Sequence, residues 1–296
     1  MYIELHPEYT KSEKEWLNDL VCGKLNTEEY APITGEFVFA TNGSNTYYLK
    51  AYTGYDKFIA IPSTYNGYPV TEIDPPVVKG NSIITEIIIP DTITSIEDST
   101  FSGCSNLKSV TIGDGITSIG DDAFRDCTSL TSINIPDSVT SIGEYAFRYC
   151  LSLTNVHVSD ISAWCKISFD NYWSNPFYYA ENLYLNGELV TDLVIPNGVT
   201  SIGNYTFRGC SSLTSVTIPD GVTNIGDDAF YYCLSLTSIT IPDSVTSIGE
   251  WAFYYCSSLK TVYYTGTEAE WASISIDSNN DYLTNANIIY NYNPEE

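Results

Sequence analysis

The chain is poor in positive charge. Its 12 Lys and Arg stand against 37 Asp and Glu, a formal net charge of −25 over 296 residues. Nucleic acid is not an expected partner, because phosphate neutralisation needs clustered Lys and Arg. An anionic membrane surface repels such a chain. A solvated acidic exterior that keeps a long molecule soluble accounts for the imbalance; binding of a cation or a cationic partner is the alternative.

Histidine is scarce, with only His6 and His157 present. No C-x-x-C occurs, so a zinc site has little to stand on. No run of about 20 apolar residues is present to cross a membrane as a helix. The stretch from Met1 to Leu20 has no apolar signal-peptide core. Neither the dinucleotide-binding glycine fingerprint nor the P-loop pattern occurs. The carboxylate pairs Asp121-Asp122 and Asp227-Asp228 are neighbours on one turn, not two groups facing across a cleft. We therefore expect no enzyme, no cofactor and no metal.

Apolar residues are not lacking. They make up 43% of the chain and aromatics 14%, enough to fold. They are also periodic. Ile225-Gly226, Ala229-Phe230, Cys233, Leu236, Ile239, Ile241-Pro242 and Val245 lead back to Ile248-Gly249, 23 residues on. The same mark recurs at Ile73, Ile96, Ile119 and Ile142 in steps of 23, then at Ile202 after a step of 60, then at Ile225 and Ile248. A fixed period of this length signals a solenoid, in which stacked units bury faces that no unit buries alone.

Six of the eight cysteines follow the period: Cys104, Cys127 and Cys150, then Cys210, Cys233 and Cys256. A small apolar side chain packs at that position. Free Cys suits it as a buried hydrophobe, ahead of ladder disulfides or metal.

Within a unit, Val216 and Ile218 alternate with polar Thr217, the signature of a half-buried strand. Pro219 ends that strand, and Asp220 starts a turn. Val222 to Ile225 is a second extended piece. Asp227 to Phe230 reads as a short helical turn. Stacking should align the strands into one parallel sheet with the helical turns opposite.

Three regions depart from the period. Residues 1–35 read as a leader with an amphipathic helix from Ser12. Residues 36–58 read as a capping hairpin around Asn42-Gly43. The solenoid then covers 59–290. It holds an enlarged unit near 159–190, with Trp164, Ile167, Phe169 and Phe177. A second copy near 262–290, with Trp271, Ile274, Ile276 and Leu283, is the expected C-terminal cap.

The pattern L-x-x-[VI]-x-I-P-x-x-V-T-x-I-G-x-x-A-F-x-x-C, clearest at Leu130 to Cys150 and Leu213 to Cys256, resembles the BspA-like leucine-rich repeats. The resemblance implies an α/β, β-rich, right-handed leucine-rich repeat solenoid. It also implies surface or secreted proteins, mostly of host-associated bacteria, that act in adhesion and binding. It supplies no catalytic residues. The expected location is the cell surface or outside the cell, with the cytoplasm as the alternative.

Two faces compete as the binding surface. The strand face is a lawn of hydroxyls, including Thr131, Thr154, Thr214, Thr217 and Thr237, with His157 among them. The face beside A-F-x-x-C carries Arg125, Tyr145, Arg148, Tyr149, Trp173, Tyr178, Tyr205, Arg208, Tyr231, Tyr232, Trp251 and Tyr254. Tyr, Trp and Arg dominate interface hot spots, so these twelve are the candidate partner-binding residues. A protein is the expected partner, with glycan binding and a structural spacer role as alternatives.

Overall fold

The computed structural model describes residues 37–41, 43 and 45–293. The expected leader over 1–35 lies outside the described residues. From Phe58 onward the chain is a β-solenoid, and each regular coil contributes two short strands and one tight turn.

The first ladder begins with Phe58–Ala60, Glu86–Ile88 and Ser109–Thr111, all parallel. A separate parallel set on the same side joins Ser132–Asn134, Asn155–Val158 and Asn182–Leu185. Beyond a break the ladder resumes with Asp192–Val194, Ser215–Thr217, Ser238–Ile241, Thr261–Tyr264 and Asn287–Ile289. The second ladder is built from two-residue strands. Ser95–Ile96, Ser118–Ile119, Ser141–Ile142 and Ser168–Phe169 pair in parallel. A later set runs from Ser201–Ile202 through Asn224–Ile225 and Ser247–Ile248 to Ser275–Ile276. Parallel pairing is thus divided between two ladders rather than gathered in one sheet. The Pro-Asp turn separates them: Pro136 has no N–H for the ladder, and its carbonyl accepts the Val139 N–H at 3.1 Å.

Helix is minor. The described α-helical segments are four residues each: Ile161–Trp164, Glu268–Trp271 and Asp281–Thr284. The A-F-x-x-C segment is not a helix. Two residues in each such turn take left-handed backbone: Asp122 and Asp126 (φ 53° and 59°), Tyr145 and Tyr149 (59° and 64°), Trp251 and Tyr255 (62° and 58°). Alternate N–H groups then point along the solenoid. Those of Asp122, Phe124 and Asp126 donate to the carbonyls of Glu144, Ala146 and Arg148 at 2.8, 2.8 and 2.9 Å. A helix would use these groups inside its own turns. The left-handed residues release them to join coils, and the turns become a third ladder.

Acidic residues tie this ladder down. Asp121 Oδ1 accepts the Glu144 N–H at 2.7 Å, and Asp227 Oδ1 accepts the Glu250 N–H at 2.9 Å. The glycine before each donor is there for space. A Cβ on Gly143 would overlap the Asp121 carboxylate and sit 2.8 Å from the Asp121 nitrogen.

The core is a set of side-chain stacks. Phe101, Phe124 and Phe147 lie with ring centroids 5.2 and 5.4 Å apart, and Phe207, Phe230 and Phe253 at 5.5 and 5.3 Å. These distances follow from a strand spacing of about 4.8 Å. The periodic cysteines are buried free thiols. Cys127 Sγ donates to the Phe101 carbonyl at 3.2 Å, and Cys150, Cys233 and Cys256 repeat the bond. Burial pushes the Cys256 thiol up to about 12, so it is a packing group and not a nucleophile.

The enlarged unit interrupts this order. Its helix begins at Asp160, whose carboxylate accepts the Ser162 N–H, and ends at buried Trp164. Asn182–Leu185 then turns at Asn186-Gly187, with φ of 51° and 87°, into antiparallel Glu188–Leu189. Positive φ at both positions is the type I′ hairpin signature. Across this junction the turn side stays joined. Trp164 Nε1 donates to the Thr206 carbonyl at 2.9 Å, and Asn175 Nδ2 to the Tyr205 carbonyl at 2.7 Å.

At the N-terminal side, Phe37–Thr41 pairs antiparallel with Tyr47–Tyr52, which lies parallel on Tyr68–Ile73. Leu49 is fully buried beneath it.

Candidate functional site

The turn ladder decides which side chains face out. In each turn Phe and Cys point into the core, and the residues between them point away. All three arginines of the chain, Arg125, Arg148 and Arg208, occupy the position after Phe. The twelve sequence candidates include all three, but the shared position is a signal that residue type alone does not reveal.

Each guanidinium lies over aromatic rings. Arg148 is 4.7 Å from the Tyr149 centroid, 4.9 Å from Trp173 and 5.1 Å from Tyr145. Arg208 is 4.0 Å from Tyr231, 5.2 Å from Tyr172 and 5.4 Å from Tyr178. Arg125 is 6.0 Å from Tyr149. Such contacts contribute about 0.5–1 kcal/mol when exposed and about 2 when desolvated.

Ring contacts join these clusters into one strip. Tyr145 meets Trp173 at 5.2 Å, and Trp173 meets Tyr172 at 4.0 Å and Tyr178 at 6.1 Å. Beyond Arg208, Tyr231 meets Tyr232 at 5.0 Å and Tyr254 at 5.6 Å, while Trp251 meets Tyr254 at 4.6 Å. The strip ends where Tyr255 stacks on Tyr282 at 6.3 Å. Eleven of the twelve candidates therefore fall in it. Tyr205 is half-buried and packs against the core instead. Tyr172, Tyr255 and Tyr282 belong to the strip although the twelve omit them.

The charges in the strip differ. Arg125 pairs with Asp122 at 3.3 Å and Asp126 at 3.4 Å. Arg208 lies 3.8 Å from Asp228. Burial is the main influence on Asp228 and raises its carboxyl to about 6, against the opposing pull of Arg208. Arg148 has no carboxylate partner among the described residues; its Nη2 donates to the Tyr149 hydroxyl at 2.9 Å. Its Nε is buried without a hydrogen-bond partner among them.

The strand face is less available. The hydroxyls of Thr154, Thr214 and Thr237 donate to carbonyls of the preceding coil at 3.2, 3.1 and 2.9 Å. His157 stacks on Tyr184 at 4.7 Å. Much of the hydroxyl lawn is already used to hold the ladder together, whereas the strip presents Tyr149, Tyr178, Tyr232 and Tyr255 each nearly two-fifths exposed.

Several solved structures are similar to this chain. A leucine-rich repeat protein of T. pallidum is 24% identical, with a TM-score of 0.46 over 80% of this chain and 91% of that one. A leucine-rich cell surface protein of Faecalibacterium prausnitzii is 24% identical, with a TM-score of 0.33 over 84% and 98%. A leucine-rich repeat protein of Bacteroides ovatus is 24% identical, with a TM-score of 0.41 over 88% and 79%. No curated protein matches the chain. The BspA type leucine-rich repeat region matches residues 71–183 and 178–289, in 6 copies. With that pattern over most of its length and the coils it implies in place, the chain belongs to the BspA type leucine-rich repeat family.

Proposed function

We propose that this chain is a non-enzymatic binding module that engages a protein partner through the aromatic–arginine strip of its turn face. One observation carries the reading. In a chain of net charge −25, Arg148 is held by three rings and by no carboxylate among the described residues. A partner's carboxylate would complete that site with a charge-assisted hydrogen bond, while the flanking rings supply rigid apolar area. A cell-surface location is what the family resemblance implies.

Surface plasmon resonance against an array of extracellular-matrix and cell-surface proteins, run beside a glycan array, tests the proposal. Saturable binding to a protein should weaken about tenfold, or about 1.4 kcal/mol, in Arg148→Ala and Tyr232→Ala. It should be unchanged in Thr217→Ala. Binding confined to glycans, or loss through Thr217→Ala with the strip variants unaffected, sinks this reading.

A further inference from the structure

The hairpin at the junction opens a second site, on the strand side and away from the strip. Among the described residues, Glu188–Leu189 pairs with Asn182–Leu185 and with no other strand, and Asp192–Val194 pairs only with Ser215–Thr217. These two segments are two residues apart in sequence, yet they form no ladder with each other among the described residues. Two strand edges therefore face a common cleft of about 370 Å³, whose lining includes Leu185, Glu188, Leu189, Asp192 and Val194.

Proteins usually blunt such edges with charge, proline or a cover. Here Val194 is 67% and Leu189 46% exposed, and neither carries charge. The one carboxylate of Asp192–Val194 is drawn back onto the neighbouring strand, where Ser215 Oγ and Thr214 Oγ1 donate to it at 2.6 and 3.2 Å. The edge is left open to a backbone. The lining has carboxylates at Glu188 and Asp192 and no basic residue, in a chain that is strongly acidic throughout.

We propose that this cleft receives an extended segment of a partner protein, which adds as a strand to the free edge of Asp192–Val194. Main-chain hydrogen bonds to a sheet edge supply affinity, and alternate side chains supply choice. Alternate side chains of the segment point inward with Leu193 and outward with Asp192 and Val194. The outward ones are basic and face Glu188.

The test uses the full chain and a fluorescein-labelled heptapeptide of alternating Lys and Val, followed by anisotropy. A second peptide is N-methylated at every residue after the first, which removes its backbone amide donors and keeps its charge. A third replaces Lys by Glu. The first peptide should bind at sub-millimolar concentration, and the other two at least about tenfold more weakly. Val194→Lys and Leu189→Lys, at exposed positions, should weaken it comparably while circular dichroism stays unchanged. Amide exchange over 188–194 should slow when the first peptide is present. Arg148→Ala should bind it like the unaltered chain, so the strip and the cleft fail independently. Equal binding of the N-methylated peptide, indifference to Val194→Lys, or no binding near 1 mM overturns the proposal.

Discussion

Arg148 lies 4.9 Å from the Trp173 ring centroid, bringing a coil of the first repeat block against the enlarged unit that closes it. A planar guanidinium stacks on rings in a way that an ammonium does not. Arg148→Lys should therefore keep the charge and still lose stability, by about 1 kcal/mol. Arg148→Ala should lose more, because the alkyl stem also packs. Urea unfolding of the three proteins checks the order; a lysine variant as stable as the arginine form would mean that charge alone matters.

Tyr149 offers a way to separate ring from backbone. It sits at φ 64°, and the equivalent positions in other coils hold Gly103 and Gly209 at 77° and 78°. Tyr149→Gly removes the ring from Arg148 but suits the backbone. We expect stability to change by less than about 1 kcal/mol, because relief of a left-handed residue offsets the lost contact. Binding through the strip should fall with Arg148→Ala. A large loss of stability with unchanged binding would make the ring a structural group.

Gly143 is required by space. Gly143→Ala would drive a Cβ against Asp121 nitrogen and carboxylate, and the backbone cannot retreat as a side chain can. Overpacking of this kind costs about 1–3 kcal/mol. Gly198, where a Cβ would meet nothing, has φ 95°, so Gly198→Ala should fail through backbone conformation instead. Pairing each with Asp121→Ala distinguishes them: only the Gly143 variant should be partly rescued, as read from melting temperatures.

Asp228 makes stability depend on pH. Its folded pKa is raised from 3.8 to about 6. Between those values the folded protein holds a proton that the unfolded chain has released. Its contribution to stability is thus fully present below about pH 4 and is lost as pH rises through about 6. Asp228→Asn should flatten that part of the profile and be more stable than the parent at pH 7. Melting curves from pH 4 to 7.5 on both proteins isolate this group from the titration of the other carboxylates. A difference between them that does not vary with pH would refute the assignment.

The 23-residue period made the register legible. Ile119 opposes Ile142, and Val216 opposes Ile239, as equal spacing requires. The inward Phe and Cys were legible for the same reason. The backbone of A-F-x-x-C was not, because Tyr and Trp seldom take positive φ. Those residues adopt it only because hydrogen bonds from the next coil outweigh the local preference. The hairpin at the junction did have a local signal, since Asn186-Gly187 stands between Leu185 and Leu189. It was masked by the stronger match of the enlarged unit to its second copy. The strip was legible as a set of residue types and not as a connected surface, because the stacking that links Trp173 to Arg148 crosses the irregular step.

The break in the first ladder has a consequence for cooperativity. A solenoid folds by passing order from one coil to the next, so its cohesion is only as good as each interface. Between Asn182–Leu185 and Asp192–Val194 the first-ladder bonds are replaced by a hairpin. The coupling there falls to the turn side and the core, with Trp164 and Asn175 reaching across to Thr206 and Tyr205. The Ser212 N–H also reaches back to the Glu181 carbonyl at 2.9 Å, and we expect these few links to set how strongly the two sets of coils unfold together. Trp164→Phe, which keeps an aromatic ring and removes the indole donor, should turn a single unfolding transition into two.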